Sequence, residues 1–118
     1  MNVLVIDIGG TSIKFMACSQ NIASKFQSGK EMTPDRMVAE LSEQIGDWSI
    51  EAVSIGYPGV LKQDQIVEEP KNLASGWVGF DFETAFEVPV KIINDAALQA
   101  LGSYQGGKSL FLLPLIHI

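Results

Sequence analysis

Two short stretches hold most of the side chains able to do chemistry. The first is Asp7-Ile8-Gly9-Gly10-Thr11, with Lys14 beyond it. A carboxylate in an apolar strand costs free energy unless it is paired or near the strand end. At the C-terminal end of a central strand, Asp7 can face a cleft and hold a hydrated Mg²⁺. Two glycines let a turn approach a phosphate closely, because no Cβ shields the backbone amides, and Thr11 adds a hydroxyl. An ordinary hairpin turn with an acidic turn former fits the same residues. The stretch is not a Walker motif, since no Gly-Lys-Ser/Thr follows at the required spacing. The second stretch is Asn94-Asp95, at an expected strand-to-helix junction. There Asn94 suits a helix cap and Asp95 the first turn. Equally, a carboxylate at the C-terminal edge of a parallel strand lies where open α/β sheets bind ligands, and it can take a proton from an attacking hydroxyl. Both roles are compatible.

Weaker signals lie between these stretches. Gly56-Tyr57-Pro58-Gly59 is, as a bare pattern, a turn. Asn72 and Trp77 in the following loop suit a polar anchor and an apolar wall for a sugar, or a satisfied loop backbone and a core cover. His117 reads as bland. With one Cys and one His, a four-ligand zinc site needs carboxylates, and Cys18 has no disulfide partner.

The elements that must position these residues follow from hydrophobic pattern. Val3 to Ile8 is apolar except at Asp7, as in a strand buried on both faces. Ser12 to Cys18 forms a hairpin with it, and Asn21 to Phe26 adds a third antiparallel strand. Thr33-Pro34 opens a helix over 33–46, with Met37, Val38, Leu41 and Ile45 on one face and Gly46 as its cap. Ile50 to Tyr57 is a strand, and 60–80 an extended loop with a short hairpin from Val60 to Val67. A short helix follows over 81–86, then a strand over 88–93. A helix from Asn94 carries Ala97, Leu98, Leu101 and Tyr104 on one face, and Leu110 to Leu113 is a last strand. The expected architecture is α/β: a hairpin and third antiparallel strand, then parallel strands, in a mixed sheet flanked by helices.

Composition narrows the function classes. The 118 residues are 47% hydrophobic and 19% charged, as expected of one globular domain. A net charge of −6 gives no footprint for nucleic acid or an anionic membrane. No signal-peptide pattern and no membrane-length apolar run is present, so the expected location is cytoplasmic.

Taken together, the motifs resemble a known lineage. Asp7-Ile8-Gly9-Gly10-Thr11-Ser12-Ile13-Lys14 resembles the first phosphate motif of the actin/hexokinase-type ATPases. Gly56-Tyr57-Pro58-Gly59, Asn72-Leu73 with Trp77, and Asn94-Asp95-Ala96 are similar to the ROK family of sugar kinases and regulators, with glucokinases of the polyphosphate or ATP type nearest. Activator-type ATPases and pantothenate kinases share the Asp-x-Gly start, but the Asn94-Asp95-Ala96 junction and the Gly-x-Pro-Gly turn favour the sugar-kinase branch. The resemblance implies a ribonuclease-H-like N-terminal lobe over residues 1–112. It puts Asp7, Gly9, Gly10, Thr11 and Lys14 at phosphate and Mg²⁺. It makes Asp95 the base, with Asn94, Asp95, Asn72 and Gly59 at the sugar. The implied substrates are a hexose, glucose first, and ATP or polyphosphate, with no zinc.

After Ser109-Leu110-Phe111-Leu112 the family pattern gives way to an apolar tail, 113–118. The expectation is a truncated kinase without the second lobe, inactive alone. The alternative is a non-catalytic sugar-binding or self-associating fragment, possible as a homodimer through that tail. With the phosphate motif starting at Asp7, no helix-turn-helix is expected ahead of it.

Overall fold

In this computed structural model, residues 2–18, 23–46, 48–63 and 65–94 are described. Five strands, β1 (Val3–Ile8), β2 (Ser12–Ala17), β3 (Ala23–Gln27), β4 (Ala52–Tyr57) and β7 (Val90–Asn94), form one sheet in the order β3-β2-β1-β4-β7. The first three make an antiparallel meander, while β1, β4 and β7 run parallel. The mixed α/β sheet expected from the sequence is borne out. The continuous apolar run of β1 is explained by its central place, with a partner strand on either side.

Strand alternation sorts side chains onto two faces. Leu4, Ile6 and Ile8 of β1 join Ile13 and Phe15 of β2 and Val53, Ile55 and Tyr57 of β4 in the main core. Val3, Val5 and Ala52 form a smaller cluster. Helix α1 (Pro34–Ile45) packs into the main core through Met37 and Leu41, both fully buried, with Val38 and Ile45 partly so. Each fully buried side chain of this size contributes about 1.5–3 kcal/mol. The Thr33 hydroxyl accepts from the Arg36 amide at 3.2 Å, and the Gly46 amide donates to the Ser42 carbonyl at 3.2 Å, so both ends of α1 are capped as the sequence predicts.

Between β4 and β7 lie a small hairpin, β5 (Leu61–Lys62) with β6 (Gln65–Ile66), a loop, and the short helix α2 (Phe82–Phe86). Asp81 caps α2, accepting from the Thr84 amide at 3.1 Å. Trp77, fully buried, packs between Tyr57 and Phe82 at ring distances of 6.2 and 6.3 Å. It is a core residue, which selects the core-cover reading of the sequence over the sugar wall.

Strand ends differ from the sequence reading by a few residues. The third strand is described from Ala23, the expected start at Asn21 lying outside the described residues, and the fourth begins at Ala52 rather than Ile50. Asn94, expected to open a helix, closes β7 opposite Tyr57. The helix expected beyond it, the strand at Leu110–Leu113, His117 and the apolar tail lie outside the described residues. Among the described residues, no helix is long and apolar enough to cross a membrane.

Candidate functional site at the carboxyl edge of the sheet

Because β1, β4 and β7 are parallel, their C-terminal ends meet at one edge. Asp7 stands opposite Gly56, and Tyr57 opposite Asn94. Two described connections leave this edge, the Gly9–Thr11 turn and the Pro58-Gly59 turn. Together with the loop after β6 they border a cleft of about 710 Å³, whose lining includes Gly10, Gly59, Asn72 and Asn94.

The Gly9–Thr11 turn is tightly built. The Gly9 amide donates to the Ser12 carbonyl at 3.0 Å, and a Cβ on Gly9 would meet that oxygen at 2.8 Å. From β3's end, the Ser28 hydroxyl donates to the Gly9 carbonyl at 2.7 Å, and the Ser28 amide to the Thr11 carbonyl at 3.1 Å. With the Gly9 and Thr11 carbonyls tied back, the turn leaves the Gly10 and Thr11 amides donating to no protein group among the described residues. Such amides can receive an anionic oxygen. A methyl group on Gly10 would come within 3.0 Å of Asn72 Cβ and 3.2 Å of its Nδ2, so turn and loop are in direct contact.

The Gly56–Gly59 segment is shaped by Tyr57. Its ring is fully buried, and its hydroxyl donates to the Glu68 carbonyl at 2.9 Å. Burial, with the nearby Glu69 charge adding, pushes this hydroxyl well above the ordinary tyrosine range. A Cβ on Gly59 would lie 2.6 Å from the Tyr57 ring. The Gly59 carbonyl accepts from Asn94 Nδ2 at 3.2 Å, linking the ends of β4 and β7.

Other expected site residues stand apart from the cleft lining. Half-buried Asp7 sits near the end of β1, in register with Lys14 on β2. Lys14 and Thr11 are exposed. Asp95 lies outside the described residues. Three residues escaped the sequence reading. Ser28 clamps the phosphate-type turn. Lys71 brings a positive charge to the cleft. Glu69, also at the cleft, accepts from the amides of Trp77 and Val78 at 2.9 and 3.1 Å. None carries a periodic or motif signal.

The comparisons with known proteins agree with this geometry. A ROK hexokinase from Thermus thermophilus superposes with a TM-score of 0.67 at 26% identity, covering 89% of this chain and 39% of its own. A ROK family glucokinase from Streptomyces griseus, in complex with glucose and AMPPNP, gives 0.62 at 23% identity, covering 92% and 38%. A ROK family protein from Streptococcus pneumoniae, in complex with sucrose, gives 0.64 at 22% identity, covering 90% and 38%. The chain thus spans about two-fifths of the length of these structures. No curated protein matches the sequence. The family model for ROK matches residues 3–112, from the first residue of β1 to well past the Asn94-Asp95 junction. A match of that extent, on a sheet of this topology, makes the chain a member of the ROK family.

Proposed function

We propose that this chain is the phosphate- and sugar-binding lobe of a sugar kinase, whose reaction moves a phosphoryl group from ATP or polyphosphate to the 6-hydroxyl of a hexose, glucose first. The observation that carries this reading is the convergence of Gly10, Gly59, Asn72 and Asn94 on one cleft at the ends of parallel strands. Similar folds bind sugar and nucleotide: glucose and AMPPNP in the Streptomyces griseus structure, sucrose in that from Streptococcus pneumoniae.

Asn94 and Asn72 orient the hexose through their amides, beside the Gly59 carbonyl. The Asp95 carboxylate takes the proton from the 6-hydroxyl as that oxygen forms its bond to phosphorus and the bond to the donor's leaving oxygen breaks. Amides of Gly10 and Thr11 receive phosphoryl oxygens, with Lys14 a further cation near that turn. Among the described residues no three His, Cys, Asp or Glu side chains gather as a metal cage. Asp7 would be the one carboxylate to hold Mg²⁺, with waters and substrate phosphates as the remaining ligands. When bound, Mg²⁺ neutralises charge developing on the transferred group.

The test is glucose 6-phosphate formation with Mg²⁺ and either donor, beside glucose binding by calorimetry, in the chain and in Asp95→Asn. Turnover abolished by Asp95→Asn supports the kinase reading. Glucose binding without turnover supports a sugar-binding lobe that needs the rest of a kinase. Absence of both refutes the sugar reading.

A further inference from the structure

The loop after β6 has no regular structure, yet it is tied at every stage. Tyr57 holds its start through the Glu68 carbonyl. Pro70 and Leu73 are buried, and the Ala74 amide donates to the Met32 carbonyl at 3.0 Å. Trp77 anchors its end in the core. The tie between start and end is Glu69, whose two carboxylate oxygens take the consecutive amides of Trp77 and Val78. Ionised acceptors make the stronger class of hydrogen bond, and a tie of this kind removes the freedom the intervening residues would otherwise have. At the crown of the closed loop stands Asn72, exposed to the cleft and packed on Gly10.

Glu69 also borders the cleft, but with both oxygens on backbone amides it is not a spare base.

We propose that Glu69 is a positioning residue for sugar recognition: by closing the loop on the amides of Trp77 and Val78, it fixes Asn72 against the Gly9-Gly10 turn and so joins the sugar side of the cleft to the phosphate side. The inference rests on the sugar-kinase reading for its functional half. Its structural half stands without any ligand.

The experiment uses the full chain and the variants Glu69→Ala, Glu69→Gln, Asn72→Ala and the Glu69→Ala/Asn72→Ala double variant. NMR reads the cross-peak between Asn72 Hβ and Gly10 Hα and the exchange of the Trp77 and Val78 amides. Calorimetry reads glucose affinity. In Glu69→Ala the cross-peak disappears and both amides exchange faster by about tenfold. Glucose affinity falls as far as in Asn72→Ala, and the double variant is no worse than Asn72→Ala. Glu69→Gln keeps one carbonyl acceptor, so it protects one amide, retains a weakened cross-peak and loses less affinity. Should Glu69→Ala not fold, Glu69→Gln decides by the same signals. An intact cross-peak in Glu69→Ala, unchanged exchange at both amides in Glu69→Gln, or affinity losses that multiply in the double variant overturns the proposal. A wild-type chain that binds no glucose overturns the sugar reading instead, and the cross-peak and amide exchange still decide whether Glu69 positions Asn72.

Discussion

Replacing Gly59 by alanine puts a methyl carbon 2.6 Å from the Tyr57 ring. Ordinary carbon contacts need about 3.5–4.0 Å, so one group must move by roughly 1 Å. Tyr57 has little room to do so: its ring is fully buried, it packs on Trp77, and its hydroxyl is bonded to the Glu68 carbonyl at 2.9 Å. Overpacking costs about 1–3 kcal/mol, and losing the hydrogen bond adds about 1 kcal/mol. The alanine repays about 0.4–1 kcal/mol through a stiffer unfolded chain. The expected net loss is therefore about 2 kcal/mol, or roughly 8 °C in Tm for a domain of this size. Urea unfolding followed by circular dichroism measures it. Gly10→Ala is the comparison. Its nearest neighbour is Asn72 Cβ at 3.0 Å, so the exposed loop need give only a few tenths of an ångström, and that variant loses less, about 1 kcal/mol, while pushing Asn72 off its place in the cleft. In a Tyr57→Phe background, the hydrogen-bond part of the Gly59→Ala cost vanishes, so the two changes sum to less than their separate costs. A Gly59→Ala midpoint within about 0.5 kcal/mol of wild type, or a costlier Gly10→Ala, would refute the reasoning.

Three further outcomes are expected. Ser54 Oγ is buried with no hydrogen-bond partner among the described residues, so Ser54→Ala leaves stability unchanged or raises it by up to about 1 kcal/mol, read from the same unfolding curves. Trp77 Nε1 is buried in the same condition; Trp77→Ala costs about 3–5 kcal/mol, whereas Trp77→Phe, which also removes the unpaired N–H, costs well under half of that. Tyr57 is raised above its ordinary value of 10.0, so the folded state holds this proton more tightly than the unfolded one; stability is flat below about pH 9 and falls as pH rises past 10, a limb that Tyr57→Phe flattens in pH-dependent chemical denaturation.

The fold was legible wherever burial imposes a pattern. The unbroken apolar run of β1 marks a central strand, and Thr33-Pro34 with Met37 and Leu41 marks α1 to within a residue. The strand start at Ala52 was less legible, since ladder pairing rather than apolarity sets it. In the cleft, Gly10, Gly59, Asn72 and Asn94 could be named from turn chemistry and family resemblance. Trp77 was read as core cover only on the usual fate of a loop tryptophan, because a loop has no period that tells which way a side chain faces. Glu69 was opaque for a related reason. Glu68 and Glu69 are neighbours of one type, yet only Glu69 accepts from the amides of Trp77 and Val78, and nothing in the sequence distinguishes them.

The order β3-β2-β1-β4-β7 also sets a timetable for assembly. The meander of β1, β2 and β3 pairs neighbours in the chain, so its loops close early and at small entropic cost. The parallel pairings, Val3 with Ala52 and Val53 with Val90, must wait for chain that is made later and has farther to travel. During synthesis, the edge of β1 that later receives β4 is left without its partner while α1 emerges. Among the described residues lining the cleft, all except Gly10 lie later in the chain than β4. Formation of the cleft therefore waits on the parallel pairings rather than on the meander.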